Sequence, residues 1–352
     1  MKIGILTSGG DCQGLNAALR GVAKTLFAAV PDMELIGIQD GYRGLIESEW
    51  REMNLREFSG ILREGGTILG TSRQSFHSMR EVDESGHPDK LTTMVKNYQK
   101  ERFDALVILG GNGTHKTAYA LCQQGVKIVT LPKTIDNDLY GTDYSFGFDS
   151  AVTKAADVID ALHTTAAAHG RVFVAELMGH KVGWVALHAG LAGGADVILV
   201  PEIPYSLDKV LNVIEKRNQS GKKFSIIAIA EGALTKEEAA TPKKERNPGV
   251  STSGSRLVEA LDMRLDQDVR LAIPGHFQRG GDPTPYDRVL CSRLGAKAAE
   301  LILKKQFGHM VALHGTSIVS VPLSEVAGIL KTIPPDCEII MQARALGISF
   351  GD

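Results

Sequence analysis

Short apolar runs rich in Ile, Val and Leu recur along the chain at residues 3–6, 35–38, 105–109, 126–131, 172–175, 197–200, 226–229 and 271–273. Between most of them lie longer stretches with an apolar residue at every third or fourth position: Leu15–Ala29, Thr114–Gln124, Ala151–Ala168, Ser206–Arg217, Ser255–Leu265 and Arg288–Lys304. The short runs predict strands and the longer stretches amphipathic helices. Their alternation predicts βαβ units, and hence an α/β architecture of parallel sheets covered by helices on both faces.

In such folds ligands bind beyond the carboxyl ends of the strands. The residues that follow the runs are therefore where chemistry is expected, and here they are distinctive: Thr7-Ser8-Gly9-Gly10-Asp11, Gly110-Gly111-Asn112-Gly113-Thr114, Pro132 to Asp138, Glu176-Leu177-Met178-Gly179, Glu231-Gly232 and Pro274 to Gly281. A chain of 352 residues exceeds the usual single-domain range, so two domains packed together are expected. Composition places no boundary between them, although the polar stretch Thr235–Ser253 reads as an exposed connection.

Composition narrows the function classes. Hydrophobic residues make up 43% and charged residues 23%, as in soluble globular proteins. Lys plus Arg number 39 against 41 for Asp plus Glu, with no long block of either sign, which argues against nucleic acid or a membrane as partner. Attraction for an anion must then be local. Cys12, Cys122, Cys291 and Cys337 form no CxxC pair and read as reduced thiols of a cytoplasmic protein. The opening MKIGILTSGG reads as a strand and turn rather than a secretory signal, so export is not expected.

GGNGT (110–114) places glycines, an asparagine and a helix-capping threonine at a strand end, where backbone N–H groups meet an incoming anion at the positive end of a helix. Taken alone, such glycines serve equally well to turn the chain. SGGDCQGLNAALRG after the first strand makes the same kind of site, and two such loops favour phosphate binding. Neither is GxxxxGK[ST], neither is a clean GxGxxG, and no acidic residue ends the second strand region, so a P-loop nucleotidase and a nicotinamide dehydrogenase both fit poorly.

PKTIDND (132–138) sets Lys133, Thr134, Asp136 and Asp138 after the strand at 126–131. Most Asp/Asn clusters are turn and cap residues. Beside two anion-binding loops, however, carboxylates are unfavourable unless they hold a metal or take a proton, and both tasks arise when a hydroxyl attacks phosphorus. The lysine would neutralise charge on the transferring group. Arg171, Arg270 and Arg279 suit a second phosphate, and His276 projects from PGHFQRGG; each alone reads equally as a surface or ion-paired residue. His87, His188, His309 and His314 read as structural or exposed.

Together these segments resemble the phosphofructokinase family over nearly the whole chain, through LTSGGDCQGLNAALRG (6–21), DGYRGL (40–45), GGTILGTSR (65–73), GGNGT, PKTIDND, ELMGHKVGW (176–184), AGGADVILVPE (192–202), IAEG (229–232) and PGHFQRGGDPTPYDR (274–288). The resemblance implies two doubly wound, Rossmann-like domains facing a shared cleft: residues 1–147 plus 278–328 binding the donor, and 148–277 plus 329–352 binding fructose 6-phosphate. It implies Mg²⁺-dependent phosphoryl transfer from ATP to the 1-hydroxyl of fructose 6-phosphate, giving fructose 1,6-bisphosphate, a step of glycolysis. Asp136 would be the general base, with Lys133, Thr134 and Asp138 completing the catalytic group. Gly10, Tyr42, Arg73, Gly113 and Thr114 would line the donor, and Met178, Gly179, Glu231, His276 and Arg279 would hold the sugar phosphate along with Thr134 and Asp136. Arg171 and Arg270 would come from a neighbouring subunit of a homotetramer or homodimer. Magnesium would rest on Asn112, Asp136 and Asp138, with Asn112 standing where bacterial ATP enzymes commonly carry Asp.

Within the family, Gly113 marks ATP enzymes and Lys133 marks pyrophosphate enzymes; glycine leaves room for an α-phosphate that an aspartate would crowd and repel, which favours ATP. Gln74 follows Arg73 where an aromatic residue is common near the nucleotide. Arg20, Lys24, Asp196 and Lys222 match a bacterial effector site in which His163 replaces an arginine, although an ordinary subunit interface is the plainer reading. The alternatives are a pyrophosphate-dependent enzyme, an enzyme for another sugar phosphate such as sedoheptulose 7-phosphate, and a catalytically silent sugar-phosphate-binding subunit.

Overall fold

The computed structural model describes residues 1–79, 89–242 and 251–352. His87 and part of the polar stretch Thr235–Ser253 lie outside those residues. Among them the strands are β1 (Lys2–Thr7), β2 (Glu34–Ile38), β3 (Trp50–Met53), β4 (Ala105–Gly110), β5 (Ile128–Pro132), β6 (Val172–Leu177), β7 (Val197–Leu199), β8 (Ser225–Ala230), β9 (Val269–Ala272), β10 (His309–His314) and β11 (Ser317–Pro322). All eight apolar runs are strands. The six expected helices are present as Leu15–Ala29, Asn112–Cys122, Phe148–His169, Leu207–Gln219, Ser253–Asp262 and Pro285–Leu303. No helix among the described residues is long and apolar enough to cross a membrane.

The chain divides into two compact units, residues 1–150 with 279–330, and residues 151–278 with 331–352. The first holds a sheet of order β11-β10-β5-β4-β1-β2-β3. Its five inner strands are parallel, while β3 and β11 close the edges in antiparallel fashion. These edges and β10 were not evident from the sequence. One face of the sheet buries Leu6, Ile36, Ile38, Ile108, Ile128 and Met310 against Tyr42, Leu91, Met94, Ala118 and Leu121. Fully burying an aliphatic side chain of this size contributes about 1.5–3 kcal/mol.

The opposite side of this unit carries a close helix crossing. A Cβ at Gly21 would stand 2.9 Å from the Ser292 carbonyl oxygen, and one at Gly295 would stand 2.7 Å from that of Ala18. The helices Leu15–Ala29 and Pro285–Leu303 therefore touch backbone to backbone, which fixes where the loop Ser8–Gly14 enters the first of them.

The second unit holds a sheet of order β7-β8-β6-β9, parallel throughout. Val172, Val174, Ile227 and Ile229 alternate along β6 and β8 onto one face, where they meet Val210, Ile214, Leu257 and Leu261. The C-terminal residues run beside β7: Val197 bridges Ser349 in parallel, Ile198 N–H donates to the Ser349 carbonyl at 2.8 Å, and Phe350 is fully buried.

Candidate active site

In the first unit the loop after β1 is tied down from two sides. Ser8 N–H donates to the Leu109 carbonyl at 2.9 Å, at the end of neighbouring β4, and Gly9 N–H donates to the Ser72 carbonyl at 3.0 Å. The Thr71 hydroxyl closes the latter contact by donating to the Gly9 carbonyl at 2.7 Å. The loop ends at Gly14, in the left-handed region at φ 94°, and no side chain caps the helix that follows.

The second loop corrects the sequence reading in one respect. Thr114 does not cap its helix; the helix starts two residues earlier, at Asn112, with Gly111 as an N-cap that offers no side-chain acceptor. Both helix entrances thus present their first N–H groups without a side-chain cap, as an anion-binding site requires. A Cβ at Gly9 would lie 3.8 Å from the Thr114 hydroxyl and 3.5 Å from the Lys133 ammonium, so the two loops and PKTIDND converge. Tyr42 supports this corner from behind. It is buried in the core, and its hydroxyl donates to the Thr114 carbonyl at 2.9 Å.

Lys133 follows β5 directly. Its N–H donates to the Gly110 carbonyl at 3.0 Å, and its buried ammonium donates to the Gly10 carbonyl. Burial, the largest influence, lowers this ammonium from its ordinary 10.5; Arg279 adds to the effect, while Cys12, Asp136 and Asp11 oppose it. Beyond it the chain turns sharply. The Thr134 hydroxyl accepts from Asp136 N–H at 3.1 Å, and Asn137 sits at φ 52° with its side-chain oxygen accepting from Ser145 N–H at 3.0 Å. Asn is among the few non-glycine residues at ease in that region, so Asp136 and Asp138 flank a turn of fixed shape.

Cationic and neutral polar groups stand at the first loop and at the second helix entrance. A Cβ at Gly10 would come within 3.2 Å of guanidinium nitrogens of both Arg73 and Arg279. Arg279, grouped from the sequence with the sugar-phosphate residues, is thus beside the first loop, donating to the Asp11 carbonyl at 2.9 Å. Its Nε and the Oδ1 of Asn112 are buried with no hydrogen-bond partner among the described residues. Asn112 Nδ2 donates to the Ile329 carbonyl at 3.2 Å, which leaves that oxygen for a ligand. A Cβ at Gly113 would meet nothing within 4 Å. The fold itself does not demand glycine there.

The second unit gathers the residues at the ends of β6 and β8. Glu231 accepts from Gly179 N–H at 3.3 Å and from His180 N–H at 2.7 Å, which fixes the Met178–Gly179 turn. Buried Glu176 accepts from Gly254 N–H at 2.6 Å. Arg171 and Arg270 lie elsewhere: both pair with Asp268, at 3.1 and 2.9 Å, at the amino end of β6. Most of β6 separates them from Met178, about 23 Å along the strand for Arg171 and about 16 Å for Arg270, which is in register with Phe173. His276 is exposed in a short 3₁₀ turn, Gly275–Arg279. Asp196 is engaged by Arg217 at 2.6 Å and by Ile226 N–H at 2.9 Å; burial raises its carboxyl above the ordinary value. His309 and His314 meet the Phe307 and Gly141 carbonyls at 2.8 and 2.9 Å, in structural roles.

Several contributors are not evident from the sequence. Thr71 and Ser72 lie within GGTILGTSR, yet nothing in that motif says that they tie down the loop after β1. His115, one helical position past the loop, is buried with Nδ1 donating to the Gly111 carbonyl at 2.8 Å; burial lowers its imidazole to about 4, so it stands neutral behind the phosphate-type loop. Asn137 carried a signal that could have been read, an Asn between two Asp residues in a turn.

An α/β protein that joins two such helix entrances to a buried lysine, two arginines and a pair of carboxylates has the equipment of a phosphoryl-transfer protein. The comparisons agree. A family model described as Phosphofructokinase matches residues 2–302. An ATP-dependent 6-phosphofructokinase of Spirochaeta thermophila is 51% identical over 99% of this chain and 97% of its own length. An ATP-dependent 6-phosphofructokinase 3 of Bacteroides thetaiotaomicron is 47% identical over the full length of both. Among solved structures, the Pichia pastoris phosphofructokinase in the T-state superposes with a TM-score of 0.81 at 30% identity over 93% of this chain, which spans 35% of that longer one. The chain belongs to the phosphofructokinase family.

Proposed function

We propose that this protein is an ATP-dependent 6-phosphofructokinase, a phosphotransferase that moves the γ-phosphoryl of ATP to the 1-hydroxyl of fructose 6-phosphate, giving fructose 1,6-bisphosphate and ADP. The observation that carries the reading is the convergence of Gly9, Thr114 and Lys133 beside the turn that bears Asp136 and Asp138. Phosphoryl transfer is catalysed largely by positioning and charge stabilisation, and these groups supply both.

In this reading the uncapped helix entrances, with Arg73, bind the donor phosphates, and Lys133 offsets the charge that builds up on the transferring group. Asp136 takes the proton of the attacking hydroxyl, while Thr134 and Asp138 orient the reacting partners. Met178, Gly179, Glu231 and His276, in the second unit, hold the sugar phosphate. Residues 1–150 with 279–330 serve the donor, and 151–278 with 331–352 the acceptor.

The residues present fit a magnesium ion: two carboxylates, Asp136 and Asp138, and the buried, unpartnered amide oxygen of Asn112 are all hard oxygen donors. Bound there, the ion would supply charge neutralisation on the donor phosphates. Two carboxylates are fewer than an all-protein cage uses, which suits an ion that retains water and leans on those phosphates.

Open space at Gly113 supports ATP over pyrophosphate, since room is kept at the loop for a longer donor. Four free cysteines suit a reducing, cytoplasmic setting. An oligomer is part of the proposal. Arg171 and Arg270 stand at the opposite end of β6 from Met178, so one chain does not offer both groups to a single sugar phosphate, and a second copy would bring its arginines to this site. The test is the initial rate of fructose 1,6-bisphosphate formation with Mg²⁺ and either ATP or pyrophosphate. Turnover with ATP is expected; turnover with pyrophosphate alone overturns the donor assignment, and turnover with neither overturns the reaction.

A further inference from the structure

Asp287 lies in the first turn of the helix Pro285–Leu303 and is fully buried. Its Oδ1 accepts from Gly147 N–H at 3.0 Å, and its Oδ2 accepts from both the N–H and the hydroxyl of Ser150, at 2.9 and 2.5 Å. The exchange is reciprocal. Thr284 N–H donates to the Ser150 hydroxyl oxygen at 3.0 Å, the Thr284 hydroxyl donates to Asp149 at 2.5 Å, and Asp287 N–H donates to the Thr284 hydroxyl oxygen at 3.2 Å. Two helix entrances, at Phe148 and Pro285, thus cap one another.

The segment so pinned also backs the PKTIDND turn. Phe146 N–H donates to the Pro132 carbonyl at 3.1 Å, and Phe146 bridges Lys133 in parallel. The Ser145 hydroxyl donates to the Thr134 carbonyl at 2.8 Å, and Ser145 N–H holds Asn137. On the side of the first loop there is no slack, because a Cβ at Gly147 would approach the Cys12 sulfur to 2.6 Å.

We propose that Asp287 is a positioning residue, which sets the Thr134–Asp138 turn through the segment Ser145–Ser150 and so places Asp136 for proton transfer. This rests on the function proposed above. A mere helix cap does not need a buried carboxylate; Ser and Thr cap as well without the cost of burying a charge. Burial, the largest influence, raises the Asp287 carboxyl to about 6, against the three hydrogen bonds from Ser150 and Gly147, with Asp149 adding to the rise. The other titratable groups that act on this corner are the Cys12 and Cys291 thiols and the Tyr286 phenol, all raised chiefly by burial. Among the described residues Asp287 has no ion pair. A carboxylate held by three donors fixes the geometry of its neighbours, and small misplacements of a catalytic group are costly.

The test uses the full chain with fructose 6-phosphate, Mg²⁺ and ATP. Asp287→Asn keeps the volume but sets an amide donor against the donors of Ser150 or Gly147. Its kcat is expected to fall about 10–100-fold. Both KM values should stay within about threefold, and amide hydrogen exchange should quicken in residues 132–150 with the second unit unchanged. A folded variant with kcat within about twofold of the parent, or one in which kcat, KM and exchange everywhere shift together, overturns the proposal. Should Asp287→Asn fail to fold, Ser150→Ala decides: a loss of about fivefold in kcat at constant KM is expected, and an unchanged kcat overturns it. An unmodified chain without any turnover would count against the proposed function alone, since the exchange readout at 132–150 still tests Asp287.

Discussion

The ammonium of Lys133 donates to the backbone carbonyl of Gly10, joining two loops 123 positions apart in the sequence. This lysine does more than face a ligand: it holds the first loop to the turn that carries Asp136. Lys133→Met keeps the stem and removes the donor. Turnover is expected to drop about 10²-fold with little loss of melting temperature, because a buried cation whose ammonium is lowered below 10.5 is itself a cost to folding. The pH dependence has opposite signs in the two properties. Between the folded-state value and 10.5 the unfolded chain binds the extra proton, so stability rises with pH while turnover, which needs the ammonium, falls. Parallel pH titrations of melting temperature and kcat check this, and a variant with the parent's alkaline limb would contradict it.

Asp136→Asn tests the base. Removing a general base typically costs about 10²–10⁴-fold in turnover, with little effect on ground-state binding. Steady-state kinetics should show that fall in kcat with the KM for fructose 6-phosphate nearly unchanged; near-normal turnover would take the role away from Asp136.

Gly113→Asp separates ligand chemistry from folding. Since a Cβ at this position meets nothing within 4 Å, the variant should fold, and an acid in the first helical turn should add about 0.3–1 kcal/mol of stability. Use of ATP should nevertheless collapse, through repulsion of the donor phosphates. Unchanged ATP kinetics would show that the space at Gly113 is not donor space.

Arg171→Ala should raise the KM for fructose 6-phosphate with a smaller effect on kcat. The decisive measurement is subunit mixing. Each chain of an Asp136→Asn and Arg171→Ala pair is weak alone, but a hybrid contains one site with an intact Asp136 from one copy and an intact Arg171 from the other. Recovery of activity on mixing is expected; its absence, with hybrids demonstrated, would place Arg171 in its own chain's site or in none.

The strands that reach the site were legible because their neighbours bury both faces and leave unbroken runs such as 105–109. The missed strands are of another kind. β3 reads WREM with only Met53 buried, and β11 is only half-buried along most of its length, as edge strands are. The site was legible where a motif has a backbone reason, as at Gly14, and illegible where function depends on a partner far away in sequence. Nothing near Thr114 announces that Tyr42 holds its carbonyl, and nothing near Arg279 says that it stands over Gly10. Asp287 lies inside a recognised motif, yet its contact with Ser150 spans 137 positions.

The parallel run of Ser349 beside β7 bears on behaviour in a crowded solution. A three-residue edge strand made of buried Val197, Ile198 and Leu199 is a template for a foreign strand, and residues 349–350 occupy it, with Phe350 as the anchor. Proteolytic trimming past residue 349 would expose a sticky edge without touching any group assigned to chemistry. Such a molecule would be lost to self-association rather than to poor catalysis, so residues 349–351 shield this edge from other strands.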